Sequence, residues 1–137
     1  MIPARLVTDA VVKFCSDLLE PLGIQVGDGK APDGFGTPYL VVYRIASGFS
    51  ADRGSYAQPS DLQTFKYQIS GIGVDRSEAE GVTDAVTTPW VEMGPSGLVY
   101  PLTITGHTVV SRTLATDVGM ATEGVFTSIR HLLLAVS

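Results

Sequence analysis

The chain has 137 residues, 45% of them hydrophobic and 17% charged, and carries a net charge of −5. That length supports one packed domain over residues 1–137 and is short for two. The nine basic residues are spread singly from Arg5 to Arg130, which excludes the basic stripe that phosphate neutralisation needs, so nucleic acid is not expected as a specifically bound partner. Residues 69–137 hold seven acids and three bases, against seven and six in 1–68. An acidic, weakly charged surface of this kind suits protein partners. No apolar run approaches the ~18 residues of a membrane span, and no basic-then-apolar leader opens the chain, so neither membrane nor secretion is expected and the setting is cytosolic.

Pro3 suits the first turn of a helix in which Val7, Ala10, Val11, Phe14 and Leu18 share one face. On the opposite face Arg5, Asp9, Lys13 and Asp17 alternate in sign at a spacing that lets neighbours pair. The helix should end near Glu20, because Pro21 disfavours helical geometry at the residue before it. Cys15, the single cysteine, falls within the apolar pattern and reads as a packed core thiol with no disulfide partner. Ile24–Val26 reads as a short strand, followed by an exposed glycine-rich loop from Gly27 to Thr37. Asp28 and Asp33 in that loop lack the oxygen spacing and closing Glu of a calcium loop.

Pro38–Ala46 is the strongest strand pattern, apolar on both faces, which places it centrally or at a subunit interface. From Ser47 to Ser60 the sequence turns polar and glycine-rich over a length unusual for a hairpin connection. Phe49, Arg53 and Tyr56 are of types enriched at protein interfaces, with Asp52 as an ion-pair partner. A partner-binding loop and a solvated loop with tucked aromatics fit this stretch equally well.

Phe65, Tyr67 and Ile69 alternate with Thr64, Lys66, Gln68 and Ser70, the period of a half-buried strand. Gly71 and Gly73 then make a close corner, and Asp75 with Glu78 has capping-box spacing, so a helix should start at Arg76. Its apolar arc is Ala79, Val82, Ala85, Val86 and Trp90; Glu80 and Asp84 lie opposite, giving an acidic outer face. Gly81 costs that helix about 1 kcal/mol relative to Ala unless close packing requires it. Pro89 should end or kink the helix near Thr88, with Trp90 anchoring its end. The Gly71-Ile72-Gly73 corner invites a dinucleotide-binding reading, but Arg76 stands where the third fingerprint glycine belongs. A tight structural turn is the better reading, and no cofactor is expected.

Gly94–Gly97 makes a turn, and Ser96 in it lacks the spacing of a hydrolase nucleophile elbow. Leu98–Arg112 reads as a long strand with Leu102, Ile104, Gly106, Thr108 and Val110 on one parity. His107 lies on the other, where a structural role outweighs catalysis. Leu114–Met120 fits a loop or a short helix, and the stretch from Glu123 to Val136 fits either a closing strand or a helix. Two histidines and one cysteine supply no metal cluster. The pattern is that of an α+β domain, two helices on a mainly antiparallel sheet, with no catalytic constellation.

This arrangement resembles the tail terminator (tail completion) proteins of long-tailed bacteriophages. The resemblance is carried by the N-terminal helix, the PYLVVYRI strand, the polar loop leading to FKYQISGIG, the acidic helix from Asp75 and the closing TSIRHLLLAV segment. It implies a non-enzymatic virion protein that forms a homo-hexameric ring, caps the tail tube protein, stops elongation and docks the head/neck connector protein, with DNA only as passing cargo. The family has no strict signature from which site residues carry over, but the loop with Phe49, Asp52, Arg53 and Tyr56 suits contact with a neighbouring ring, and the acidic helix face with Glu80 and Asp84 would repel passing phosphate if it lines the lumen. Two alternatives remain open: another head-tail neck protein, or a dimeric small-ligand binder with His107 or Tyr43 lining an apolar pocket.

Overall fold

The computed structural model describes residues 2–31, 36–49, 63–95, 97–122 and 125–137. Helix α1 spans Ala4–Leu19 and buries Val7, Val11, Phe14, Cys15 and Leu19. Leu19 thus takes the core position expected of Leu18, which packs only partly buried against the cluster. Arg5 and Asp9 approach to 4.0 Å and Lys13 and Asp17 to 2.7 Å on the exposed face. Such pairs contribute only about 0.3–0.5 kcal/mol each. Pro21 is absorbed in a single 3-10 turn, Glu20–Leu22, which Gly23 closes at φ 74°.

Strands β1 (Gln25–Asp28), β2 (Tyr39–Phe49) and β3 (Gln63–Gly73) precede helix α2 (Arg76–Val91). A two-residue ladder of β4 (Met93–Gly94) and β5 (Gly97–Leu98) leads to β6 (Val109–Thr122) and β7 (Val125–Val136). The five long strands form one sheet in the order β1-β2-β3-β7-β6. The β1–β2 pairing is parallel and the other three are antiparallel, so the expected α+β architecture with a mainly antiparallel sheet is what the chain adopts.

Both helices lie on one face of that sheet. Phe65, Tyr67 and Ile69 of β3 point into the cluster formed with Val7, Val11, Val82, Val86 and Trp90, as their alternation predicts. The Tyr67 hydroxyl meets Thr8 Oγ1 of α1 at 2.9 Å, and Thr83 Oγ1 of α2 meets Ser128 Oγ of β7 at 3.0 Å. These two hydrogen bonds key each helix to the sheet with satisfied buried polar groups.

Gly71 and Gly73 lie within β3 and serve helix packing. A Cβ on Gly71 would stand 2.8 Å from the Ala79 carbonyl oxygen, and one on Gly73 2.8 Å from the Ala79 nitrogen. Their absent side chains let α2 rest directly on the strand, the structural reading of the Gly-x-Gly pair. The start of α2 follows its capping signal: Asp75 Oδ1 accepts from the Glu78 amide at 2.8 Å. Glu78 Oε1 reaches back to the Val74 amide at 2.9 Å, one residue before the usual capping-box target.

Three segments differ from expectation. Helix α2 does not stop at Thr88 but runs through Pro89 to Val91. Pro89 sits in the last turn, where its missing N–H forfeits one intrahelical bond, and burial of Pro89 and Trp90 holds the turn in place. The expected strand from Leu98 begins only at Val109, because Pro101 and a turn at Gly106 (φ 79°) interrupt it. The alternating apolar residues before Val109 belong to a loop that tucks Ile104 in at 3% exposed, while Val110, within β6, is 57% exposed. Residues 114–120 are strand, neither loop nor helix, since β7 pairs with β6 along its length, and the open reading of the C-terminal segment resolves to strand β7.

Candidate interaction surfaces

Phe49 forms the end of β2 opposite Thr64, whereas Asp52, Arg53 and Tyr56 lie outside the described residues, as do Asp33 and Ser96. Of the four residues expected at an interface, Phe49 alone falls among the described residues. On α2, Glu80 and Asp84 point outward as the helical wheel requires, but neither stands alone. Arg76 Nε donates to Glu80 at 3.2 Å, and Arg130 Nη1 of β7 donates to Asp84 at 3.2 Å. The outer face of α2 thus presents paired charge, whose field falls off faster than that of isolated acids.

The sheet face opposite the helices has no element packed on it among the described residues. Its side chains follow from the register: Tyr43 sits opposite Gln68, which sits opposite His131; Val41 opposite Ser70, opposite Ile129; Tyr39 opposite Ile72. Lys66 lies opposite Leu133. Antiparallel partners share a face, so these residues form one surface. Apolar side chains cover more of it than a freely solvated sheet face needs. His131 carries a lowered pKa, first from burial and then from the nearby Lys66 cation, and its Nδ1 is buried without a hydrogen-bond partner among the described residues.

Two clefts open on other sides. One, of about 550 Å³, is lined by Arg5, Thr8, Asp9, Asp28, Gly29 and Arg44. It has cations and acids together, with no nucleophile among its walls. The other, of about 310 Å³, is framed by the segment from Tyr100 to Val109 and by Arg112. His107, one of the two residues expected to line a ligand pocket, lines this second cleft, while Tyr43, the other, lies on the sheet face opposite the helices. Cys15 is fully buried and burial pushes its thiol up to about 12, which makes it a core residue with no thiolate chemistry at neutral pH.

Sequence reasoning passed over Arg112. Its side chain is 6% exposed and is held against α1 and α2, with its guanidinium 5.0 Å from the Phe14 ring and 5.1 Å from the Trp90 ring. The signal available was a charge on the same parity as the apolar residues Ile104 and Val110.

No protein-family model and no curated protein matches this chain. Its fold is similar to that of a chain in the virion of a native gene transfer agent particle. The two superpose with a TM-score of 0.63 at 15% identity, covering 97% of this chain and 96% of that one. At that identity the likeness is one of fold, and it extends over essentially the whole of both chains.

Proposed function

We propose that this single domain is a structural protein of a phage-like virion, and within the virion the tail terminator. In this role it closes into a homo-hexameric ring on the last ring of tail tube subunits, ends tail elongation and offers its other side to the head/neck connector, with DNA passing through. The observation that carries the reading is the end-to-end fold likeness to a virion chain. One feature supports it: the sheet face on which no described element packs is more apolar than solvation requires. In the ring, Phe49, Asp52, Arg53 and Tyr56 extend toward the adjoining ring. Glu80 and Asp84 face the lumen with their charge tempered by Arg76 and Arg130.

Sedimentation or native mass measurement tests the ring. A species of six times the 14.5 kDa chain mass is expected, and a monomer at high concentration would sink the proposal. A combined Asp52, Arg53 and Tyr56 alanine variant is expected to fold normally and fail to join tails to heads. Normal joining by that variant removes the loop from the interface.

A further inference from the structure

The guanidinium of Arg112 is buried without a counter-ion among the described residues. Its Nη2 donates to the Tyr100 carbonyl at 2.7 Å, but Nε and Nη1 are buried and meet no hydrogen-bond acceptor among the described residues. No carboxylate lies within ion-pair reach of it there, although acids outnumber bases in the chain. Phe14 and Trp90, packed edge to face with centroids 5.3 Å apart, supply a cation-π setting that favours the charge yet leaves the N–H groups without acceptors. Such a residue is a permanent cation awaiting an anion, since buried guanidinium donors match a carboxylate in shape and charge.

The cleft beside it supplies room and further donors. Arg112 forms part of its wall together with Thr103, His107 and Thr108, so a carboxylate drawn to the cation would meet hydroxyl and imidazole groups as well. At about 310 Å³ the cleft holds a carboxylate with a few attached carbons. Residues 101–103, which form part of the same wall, belong to no helix or strand, and Pro101 and Thr103 are exposed.

We propose that the Arg112 cleft is a carboxylate-binding site, in which the incoming anion takes up the guanidinium donors that Phe14, Trp90 and the Tyr100 carbonyl leave open. A free small carboxylate and an acidic side chain of a second copy present the same chemistry, and a single ring subunit or an assembled ring would display it alike.

Trp90, the only tryptophan in the chain, sits against the guanidinium and reports on the site directly. Sodium acetate titrated against sodium chloride at matched ionic strength is expected to give a saturable change in Trp90 emission with acetate alone. Arg112→Met should lose the response, and Arg112→Lys, which keeps the charge but not the fork, should weaken it. The absence of a saturable acetate-specific change in the wild-type protein overturns the site. So does an undiminished response in both variants. If Arg112→Met does not fold, the wild-type titration and Arg112→Lys decide between these outcomes. A protein dilution series in chloride separates the sources. Emission that moves with protein concentration, and no longer does so once acetate is present, assigns the carboxylate to a second copy. Emission that is constant on dilution but acetate-sensitive assigns it to a free carboxylate.

Discussion

The two faces of the five-stranded sheet are built from the same strands and are physically unlike. On the helix side Phe65, Tyr67, Ile69, Leu132 and Val136 are fully buried, and Tyr67 Oη and Ser128 Oγ there are hydrogen-bonded. On the other side Tyr43 is 38% exposed and Lys66, Gln68, His131 and Leu133 are part-buried, while Val41 and Ser70 are buried without a described element packed on them. The covered face is a core, where truncation leaves a cavity. The open face is a surface of cross-strand pairs, where truncation leaves solvent.

The contrast breaks most visibly at Trp90. Trp90→Ala removes a fully buried ring, its edge contact with Phe14, its stack on Arg112 and its Nε1 hydrogen bond to the Thr113 carbonyl at 3.0 Å. Urea unfolding should show a loss of about 3–5 kcal/mol. Tyr43→Ala on the open face should change protomer stability by no more than about 0.5 kcal/mol. Equal losses at the two positions would mean that the open face is a second core, covered by some other part of the chain.

Gly71→Ala probes the covered face from the backbone side. The added methyl meets a main-chain oxygen at 2.8 Å and the Thr83 methyl at 2.9 Å, and a backbone atom cannot swing aside as a flexible side chain can. The helix must lift, at a cost of about 1–3 kcal/mol. An unchanged denaturation midpoint would show that α2 does not rest on the strand.

These features were unequally legible in the amino-acid order. The alternation at Phe65–Ile69 and the Asp75–Glu78 spacing report local physics, a half-buried strand and a capped helix start, and both hold. Strand β6 was not legible because nothing local demands it. Asp117 and Gly119 are poor strand formers, and it is β7 alongside that supplies their pairing. Ile104 looked like a strand residue because a loop that tucks one apolar side chain into a core can mimic the alternation of a strand. For the interaction surfaces, residue type identified Glu80 and Asp84 as outward acids. It could not give their partners, since Arg130 lies on β7, far along the chain from Asp84. Arg112 was missed for the opposite reason: a charge is read as surface until tertiary contacts place aromatic rings on it.

Gly81→Ala sharpens the comparison in the stabilising direction. Gly81 lies on the outer side of α2, and a Cβ there would have nothing within 4 Å. It therefore carries the entropic cost of a helical glycine with no packing reason, unlike Gly71 and Gly73. Substitution should raise stability by about 0.5–1 kcal/mol, read as a higher urea midpoint at unchanged slope.

The smallest effect belongs to the open face and is a pH dependence. Burial, and secondarily the Lys66 cation, lower the His131 pKa in the folded chain, so folding favours the neutral ring. Above the unfolded-state value of about 6.5 the ring is neutral in both states and the full stability is present. As pH falls through the lower folded-state value, the unfolded chain has already taken up its proton and the folded chain resists doing so, and this increment of stability is lost. Urea unfolding between about pH 5 and 8 should therefore show stability declining toward acid, and His131→Gln should flatten that decline. An unaltered slope in the variant would mean that His131 is solvated as an ordinary surface residue. The open face would then be wetter than its buried, unpartnered Nδ1 indicates.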